Sequence, residues 1–319
     1  MLKENESYIS GQQLCDRFGV SRTAIWKVIE QLKKEGYEIE AVRNKGYRLN
    51  SSPDVISEAE ISSHLKTEWA GKKIVCYEQT DSTNNRAKDA GEQGAEHGAL
   101  FIAEHQTAGK GRRGRTWVSP SGNSIYMTLL LRPHIHPNQA PMLTLVMGLS
   151  VAEAISQTTN EKAEIKWPND IVVNKKKICG ILTEMSLEMH DINYVVVGVG
   201  INVNQREYPD EVKETATSLY MESGHRYKRS VIIAEVLKQF EKNYEMFMQT
   251  GDLSGLKEQY NACLINRGKM VKVLDPNGEY EAEAEGISEN GELIVALPDG
   301  EKRHIFAGEV SVRGIYGYV

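Results

Sequence analysis

Residues 109–115 read Gly109-Lys110-Gly111-Arg112-Arg113-Gly114-Arg115, three glycines interleaved with four cations, directly before Thr116-Trp117. The run forces the chain to leave regular structure. Ala99-Leu100-Phe101-Ile102-Ala103-Glu104 before it reads as a buried strand, and Ser119-Pro120-Ser121-Gly122-Asn123 after it reads as a turn. The segment is therefore a loop at a strand end, expected to be mobile until it holds something. Glycines let a backbone approach a ligand closely and a dense cation set answers a carboxylate or a polyphosphate, so the loop is suited to anions. It lacks the Gly-Lys-Ser/Thr ending of a P-loop and the glycine spacing of a dinucleotide fingerprint. On charge alone, a solvated basic loop or one that meets nucleic acid stays open.

At 319 residues and 40% hydrophobic content the chain can form two or three domains with a sizeable core. No run of about 18 apolar residues is evident and the first residues are polar, so neither a membrane span nor a secretory signal is expected. Cys15, Cys76, Cys179 and Cys263 lie far apart with no Cys-x-x-Cys pair, which argues against a disulfide framework or a zinc site and for the cytoplasm. The net charge of −6 hides an asymmetry: residues 1–53 carry nine Lys/Arg against seven Asp/Glu, and the remainder 29 against 37.

In the basic head, Ser10 to Phe18 suggests a short helix, Gly19 a tight turn, and Ser21 the cap of a second helix running to about Glu35. Ala24, Ile25, Val28, Ile29 and Leu32 recur at three-and-four spacing as its buried stripe, leaving Arg22, Thr23, Trp26 and Lys27 outward. Two short helices around a glycine turn match a helix-turn-helix. Tyr37 to Val42 and Gly46 to Leu49 then read as a hairpin with Arg43-Asn44-Lys45 at its tip, which makes a winged helix. Ser21, Arg22, Thr23, Trp26, Lys27, Arg43 and Lys45 are the candidate DNA contacts. A small helical domain used only for packing is the alternative, and Trp26 suits either use.

After Asn50-Ser51-Ser52-Pro53-Asp54, and a short helix from Ser57 to Leu65, residues 72–268 alternate strands with a few helices. Ile74 to Tyr77, Leu100 to Ala103, Ile125 to Leu131 and Tyr194 to Gly200 are the strand candidates; Leu143 to Thr158 and the stretch around Ile233 to Phe247 have helical periodicity. Polar clusters sit between them: Asp81-Ser82-Thr83-Asn84, Lys166-Trp167-Pro168-Asn169-Asp170, and Lys175-Lys176-Lys177-Ile178-Cys179-Gly180. Each alone has an ordinary explanation, respectively a helix cap, a core tryptophan beside polar residues, and a solvated hairpin turn.

Together with Gln106 to Trp117, Lys177 to Glu184 and Gly198-Val199-Gly200-Ile201-Asn202, these clusters resemble the biotin protein ligases in type and order. With the winged helix in front, the chain resembles the bifunctional bacterial form, ligase and biotin operon repressor in one. The resemblance covers nearly all 319 residues. It implies an α+β multidomain fold: a winged helix-turn-helix (1–53), a linker helix (54–71), a biotin- and ATP-binding catalytic domain with a class II synthetase-like mixed sheet (72–268), and an SH3-like β-barrel (269–319).

It also implies the chemistry. Biotin is activated with ATP and Mg²⁺ to biotinyl-5'-adenylate, then passed to a lysine of the biotin carboxyl carrier domain of acetyl-CoA carboxylase or another biotin-dependent carboxylase. By resemblance, Ser82, Thr83, Asn84 and Gln106 contact the ureido head of biotin, with Gly180 nearby, while Lys110, Gly111 and Arg112 wrap the acyl-phosphate end. Arg115, Trp117, Asn169 and Asn202 face the nucleotide. Lys177, with Arg112, neutralises charge as pyrophosphate leaves, and Asp170 assists deprotonation of the acceptor amine. The metal ligands stay unassigned. Where many ligases have arginine, this loop has Lys110, which lacks the bidentate fork. The adenylate is expected to order the loop, favour a homodimer, and place two head domains on double-stranded operator DNA of biotin biosynthesis or transport genes, with no membrane partner.

From Lys269 the pattern shifts to short strands, Met270 to Val273, Tyr280 to Ile287, Leu293 to Val295 and Glu309 to Val312, between Pro276-Asn277-Gly278, Asn290-Gly291 and Asp299-Gly300 turns. A five-stranded barrel is expected. A regulator that senses a ligand without turning it over, an enzyme with a vestigial head, and a lipoate ligase remain the competing classes. The first has no need of adenylate-contacting motifs and the second none of Arg43 and Lys45.

Overall fold

The computed structural model describes residues 1–2, 5, 7–275, 278–306, 311–314 and 318–319. Its first helix, α1 (Gly11–Phe18), begins where Ser10 and Gln13 cap each other reciprocally, and ends at Gly19, whose φ of 65° reverses the chain. Ser21 then accepts from the Ala24 N–H and starts α2 (Arg22–Lys34). Strands β1 (Glu38–Val42) and β2 (Gly46–Ser51) pair antiparallel around Asn44, which holds a left-handed φ of 65°. Ile9, Leu14, Ile25, Ile29 and Ile39 are the core of this unit, Met1–Val55. Val28, expected in the buried stripe, is 56% exposed. The packed arc of α2 is narrow, since α1 and one two-stranded sheet cover only the side holding Ile25, Ile29 and Leu32.

The second unit, Ile56–Val319, opens with α3 (Glu58–Ser62), β3 (Ile74–Thr80), α4 (Thr83–Glu92), β4 (Leu100–Gln106) and β5 (Ser124–Leu131). Next come α5 (Met142–Thr159), β6 (Glu164–Lys166), β7 (Asp170–Val173), β8 (Lys176–Glu188) and β9 (Asp191–Asn202). Among the described residues, seven strands form one sheet in the order β3-β4-β5-β9-β8-β7-β6. Only β3 and β4 are parallel, joined by the α4 crossover; every other pair is antiparallel. The fold is a mixed α+β arrangement.

Two helical layers follow from the period-2 pattern of the strands. Ile125, Met127, Leu129 and Leu131 of β5, with Val195, Val197, Val199 and Ile201 of β9, point into the main core beneath α5 and α7 (Arg229–Thr250). The opposite positions, Leu130 and Val196, meet Ala87 of α4. Thirteen of eighteen residues of α5 are buried, as a helix apolar on all sides requires. The window Pro137–Thr159 has the length and mean hydropathy of a membrane span, but most of it is buried inside the protein. Scattered Gly, Ser and Thr disguise the run, and burial between the sheet and α7 accounts for its composition.

The remaining elements are α6 (Leu219–Ser223), α8 (Lys257–Cys263), β10 (Lys269–Asp275), β11 (Gly278–Ile287), β12 (Leu293–Ala296), β13 (Lys302–Ile305) and β14 (Ser311–Gly314). The five strands pair antiparallel in the order β13-β12-β11-β10-β14. β13 escaped the sequence reading because three of its four residues are exposed. The turns expected at Pro276-Asn277, and Glu309-Val310 of the last strand, lie outside the described residues. This sheet is tied to the rest of the unit through Gly291, whose carbonyl accepts from Trp167 Nε1 at 3.0 Å, and through Asn261 Oδ1, which accepts from the Ile287 N–H at 2.9 Å.

Glu241 of α7 anchors the entry to the sheet. Its carboxylate accepts from the backbone N–H groups of Glu68, Trp69 and Ala70 at 2.6, 2.8 and 2.8 Å. Glu241→Gln replaces an acceptor oxygen by an amide that faces those donors, so the urea midpoint should fall by the equivalent of about 2 kcal/mol at unchanged slope. An unmoved midpoint would show that the three hydrogen bonds do not hold this corner.

Candidate functional site

Alternate residues of β8 and β9 on the face away from α5 are glycines: Gly180, Gly198 and Gly200. They leave the backbone bare, and two side chains lie directly on it. A Cβ at Gly198 would fall 2.1 Å from Asn84 Oδ1, and one at Gly200 would fall 2.7 Å from the Trp117 indole; at Gly180 the indole is 2.9 Å away. The cavity on this face is lined by Ser82, Thr83 and Asn84, by Gln106, and by Lys110, Gly111, Arg112 and Trp117 from the loop; Asn169, Lys177 and Gly180 complete the far side, with Tyr126 of β5 on its floor.

One end is a fixed set of hydroxyls and amides. Gln106 Oε1 accepts from the Thr83 N–H (2.8 Å) and hydroxyl (3.1 Å), and its Nε2 donates to Ser119 Oγ (2.9 Å). The Thr128 hydroxyl donates to Asn84 Oδ1 at 2.7 Å and lies 2.8 Å from the Thr83 hydroxyl. Asn84 Nδ2 donates to Glu184 at 2.8 Å, and Lys88 pairs with the same carboxylate at 2.8 Å. Burial pushes the Glu184 carboxyl up, but the hydrogen bonds from Lys88 and Asn84 outweigh it and hold it below the usual range. Ser82 precedes α4 yet makes no capping bond with its side chain; it is buried and is one of the residues that line the cavity. A helix cap, the ordinary explanation for this segment, does not account for it.

The other end is cationic. Lys177 Nζ is 2.5 Å from Asp170 Oδ1, and 5.3 Å from the centre of the Trp117 ring. Arg112 donates to Asn169 Oδ1 at 2.7 Å, and Asn169 Nδ2 donates to Asp170 at 3.2 Å. Burial lowers the proton affinity of the Arg112 guanidinium, Asp170 partly restores it, and the charges of Arg113 and Arg115 lower it further. A half-desolvated cation crowded by two like charges is a site that gains from an anion. Lys110 donates to Asn85 Oδ1 at 2.7 Å.

The loop of glycines and cations closes on itself through its backbone. Gly111 N–H donates to Arg115 O (2.7 Å) and Trp117 N–H to Gly109 O (2.9 Å), with Arg113 at a left-handed φ of 56°. That hairpin delivers the indole onto the glycines. Its Nε1–H is buried and finds no hydrogen-bond acceptor among the described residues, so a polar ligand can compete for the seat.

Arg115 is exposed, outside the lining, and Asn202 is buried and donates to Thr217 O at 3.1 Å. Asp170 stands behind Lys177 rather than in the lining. Thr128, Glu184, Asn85 and Tyr318 were not singled out from sequence; the Tyr318 hydroxyl donates to Asp170 Oδ2 across 148 positions of chain. Period-2 alternation marks Thr128 as a polar residue in an apolar strand, whereas nothing local marks Tyr318. Among the described residues no group of three or more His, Cys, Asp or Glu could hold a metal ion.

In the first unit, Thr23, Trp26, Lys27, Arg43 and Lys45 are exposed. Ser21 serves as the cap of α2, and Arg22 donates to Gln12 at 2.9 Å. Lys45 and Arg48 stand 5.7 and 5.0 Å from the Tyr8 ring centre.

Residues 76–202 match the Biotin/lipoate A/B protein ligase family, residues 1–48 an HTH domain, and residues 268–313 the Biotin protein ligase C terminal domain. The chain is 40% identical over 307 residues to the bifunctional ligase/repressor BirA of Bacillus subtilis, covering 96% of this chain and 94% of that one. Against the Escherichia coli protein of the same name the identity is 32%, covering 98% and 95%. The biotin protein ligase from Aquifex aeolicus, solved in complex with biotin and ATP, superposes with a TM-score of 0.67 at 34% identity, covering 76% of this chain and 99% of that chain.

The two glycine contacts differ in what must give way. Gly200→Ala pushes against an indole on a loop, so it should raise acrylamide quenching of Trp117 fluorescence and leave stability nearly unchanged. Gly198→Ala pushes against Asn84, which is pinned by Thr128 and Glu184. That change should cost about 2 kcal/mol and lower the melting midpoint by roughly 4–8 °C. The reverse order of stability losses would contradict this reading of the face.

Proposed function

Because the chain belongs to the biotin protein ligase family, we propose that it joins biotin to ATP, transfers the biotinyl group to a carrier lysine, and represses biotin genes when that carrier is lacking. The observation that carries the reading is the polarity of the cavity. A ureido ring system needs donors and acceptors together, which Ser82, Thr83, Asn84 and Gln106 offer at one end. A valerate carboxylate and an α-phosphate need cations, which Lys177, Arg112 and Lys110 offer at the other. The spacing between the ends is the flat strip over Gly198, Gly200 and Gly180.

In the first half-reaction the biotin carboxylate attacks the α-phosphorus of ATP and pyrophosphate leaves. Lys177 bridges the carboxylate and the α-phosphate, and Arg112 takes up charge from the departing oxygens. Mg²⁺ arriving with ATP would supply further charge neutralisation at the phosphates. Ligand seated over Gly180 and Gly200 displaces the Trp117 indole, leaving it to stack on adenine, with Arg115, Asn169 and Asn202 on the nucleotide side. In the second half-reaction the carrier amine, deprotonated with help from Asp170, attacks the acyl carbon, and AMP leaves.

The finer fold assignments belong to the same reading: a winged helix for α1 to β2, a class II synthetase-like sheet for β3 to β9, and an SH3-like barrel for β10 to β14. Ser21, Arg22, Thr23, Trp26 and Lys27 address the operator groove, and Arg43 and Lys45 its phosphates. Homodimer formation is supported by β8. Its pairing with β7 ends at Gly180, leaving Leu182 to Glu188 as an edge on that side, where Met185 and Leu187 are exposed. A ligand that orders the loop and favours the dimer couples biotin supply to operator affinity, and the coupling is reciprocal. The acceptor is the carrier domain of acetyl-CoA carboxylase or another biotin-dependent carboxylase in the cytoplasm.

The test uses pure protein, labelled biotin, ATP and a biotin carboxyl carrier domain. Label should appear on the carrier, and Lys177→Ala should strongly slow pyrophosphate release. The same protein should bind operator DNA more tightly with biotin plus ATP than without. No transfer, or equal DNA affinity in both states, would refute the corresponding half of the proposal.

A further inference from the structure

A residue of the C-terminal region reaches the carboxylate that stands behind the cation end of the cavity. Tyr318 donates its hydroxyl to Asp170 Oδ2, and its ring centre lies 3.4 Å from the buried Lys166 Nζ. The other Asp170 oxygen holds Lys177 Nζ at 2.5 Å and accepts from Asn169 Nδ2. Asn169 in turn holds Arg112. Both cations assigned to adenylation thus converge on Asp170, one directly and one through Asn169. Tyr318 is absent from the cavity lining, so its effect on a bound substrate passes through Asp170. Its seat is set by the last strand: a Cβ at Gly314 of β14 would fall 2.2 Å from the carbonyl group of Val319, so the Tyr318–Val319 backbone fits only against a bare glycine.

A lysine ammonium on a four-carbon stem has no geometry of its own and takes its aim from its partner. A carboxylate bonded at one oxygen keeps a broad terminal torsion, and a donor at the second oxygen removes that freedom. We propose that Tyr318 is a positioning residue for adenylation: its hydroxyl fixes Asp170, which aims Lys177 at the forming carboxylate–phosphorus bond, and it links the C-terminal sheet to that step. The inference rests on the ligase reading above. It has a consequence for the second step. Tyr318 takes one acceptor site of Oδ2 and leaves the other to receive the proton of the carrier amine. In transfer no carboxylate–phosphorus bond forms for Lys177 to serve, so the two half-reactions respond differently to loss of the Tyr318 contact.

Three variants separate the possibilities: Tyr318→Phe keeps the ring over Lys166 and removes the hydroxyl, Tyr318→Ala removes both, and Gly314→Ala displaces the backbone that seats them. All three should slow single-turnover pyrophosphate release about tenfold, the cost of a misaligned ammonium. The KM for biotin should stay within about twofold, and transfer from supplied biotinyl-adenylate to the carrier domain should keep its native rate. Native pyrophosphate release by Tyr318→Phe, or equal slowing of both half-reactions, would overturn the proposal. A readout independent of turnover is carbodiimide labelling of Asp170 followed by mass spectrometry. Labelling should be several-fold faster in Tyr318→Ala and Gly314→Ala than in the native chain, and equal rates would overturn the proposal. Absence of biotin-dependent pyrophosphate release in the native protein would sink the ligase reading, while the labelling still decides whether Tyr318 guards Asp170.

Discussion

The site depends on one strand having two different faces. In β9 the sequence Val195 to Asn202 alternates, so that Val195, Val197, Val199 and Ile201 enter the main core while Gly198, Gly200 and Asn202 face the other way. The valines make the strand stable under α5 and α7; the glycines give up packing on the opposite side. That loss is what lets Asn84 and Trp117 rest on backbone. A single methyl on either glycine would close the strip, so stability and site are built into the same eight residues by parity alone.

The two ends of that strip differ in how they are held. The amide and hydroxyl end is a closed network, in which Gln106, Thr83, Thr128, Asn84 and Glu184 satisfy one another. Such a network is rigid and reads a polar ring by shape and hydrogen-bond pattern. The cation end is tense by comparison. Arg112 is partly desolvated beside Arg113 and Arg115, and Lys177 pairs with Asp170. Positive charge held partly out of water and crowded by like charges gains from an anion. A pocket rigid at its neutral end and adaptable at its charged end suits a small ligand that grows by acquiring a nucleotide.

Much of this was legible in the sequence because the signals are local. Ser10, Gly19 and Ser21 announce the two helices of the head by cap chemistry, and the valine run of β9 and the apolar run of β5 announce buried strands. The loop of glycines and cations supplies Lys110, Gly111 and Arg112 to the cavity lining. What failed was tertiary in origin. Val28 follows the helical period of Ile25 and Ile29, but no described element covers it and it is exposed, so periodicity alone misplaced it. Ser82 has the spacing of a cap, yet its side chain makes no cap bond. In α5 small polar residues interrupt the apolar run, and the core accommodates them locally, as when Ser150 returns its hydroxyl to Val146 O. Tyr318 is the extreme case, since its partner Asp170 is 148 residues away and no periodicity links them.

A crystal structure of the protein grown with biotin and ATP tests the central claim most directly. The account predicts the fused rings of biotin against Gly198 and Gly200 with Ser82, Thr83, Asn84 and Gln106 at their ureido edge, the Trp117 indole moved off the sheet, and the phosphorus between Lys177 and Arg112. Ligand density elsewhere, with the Trp117 ring still lying on Gly180 and Gly200, would contradict it.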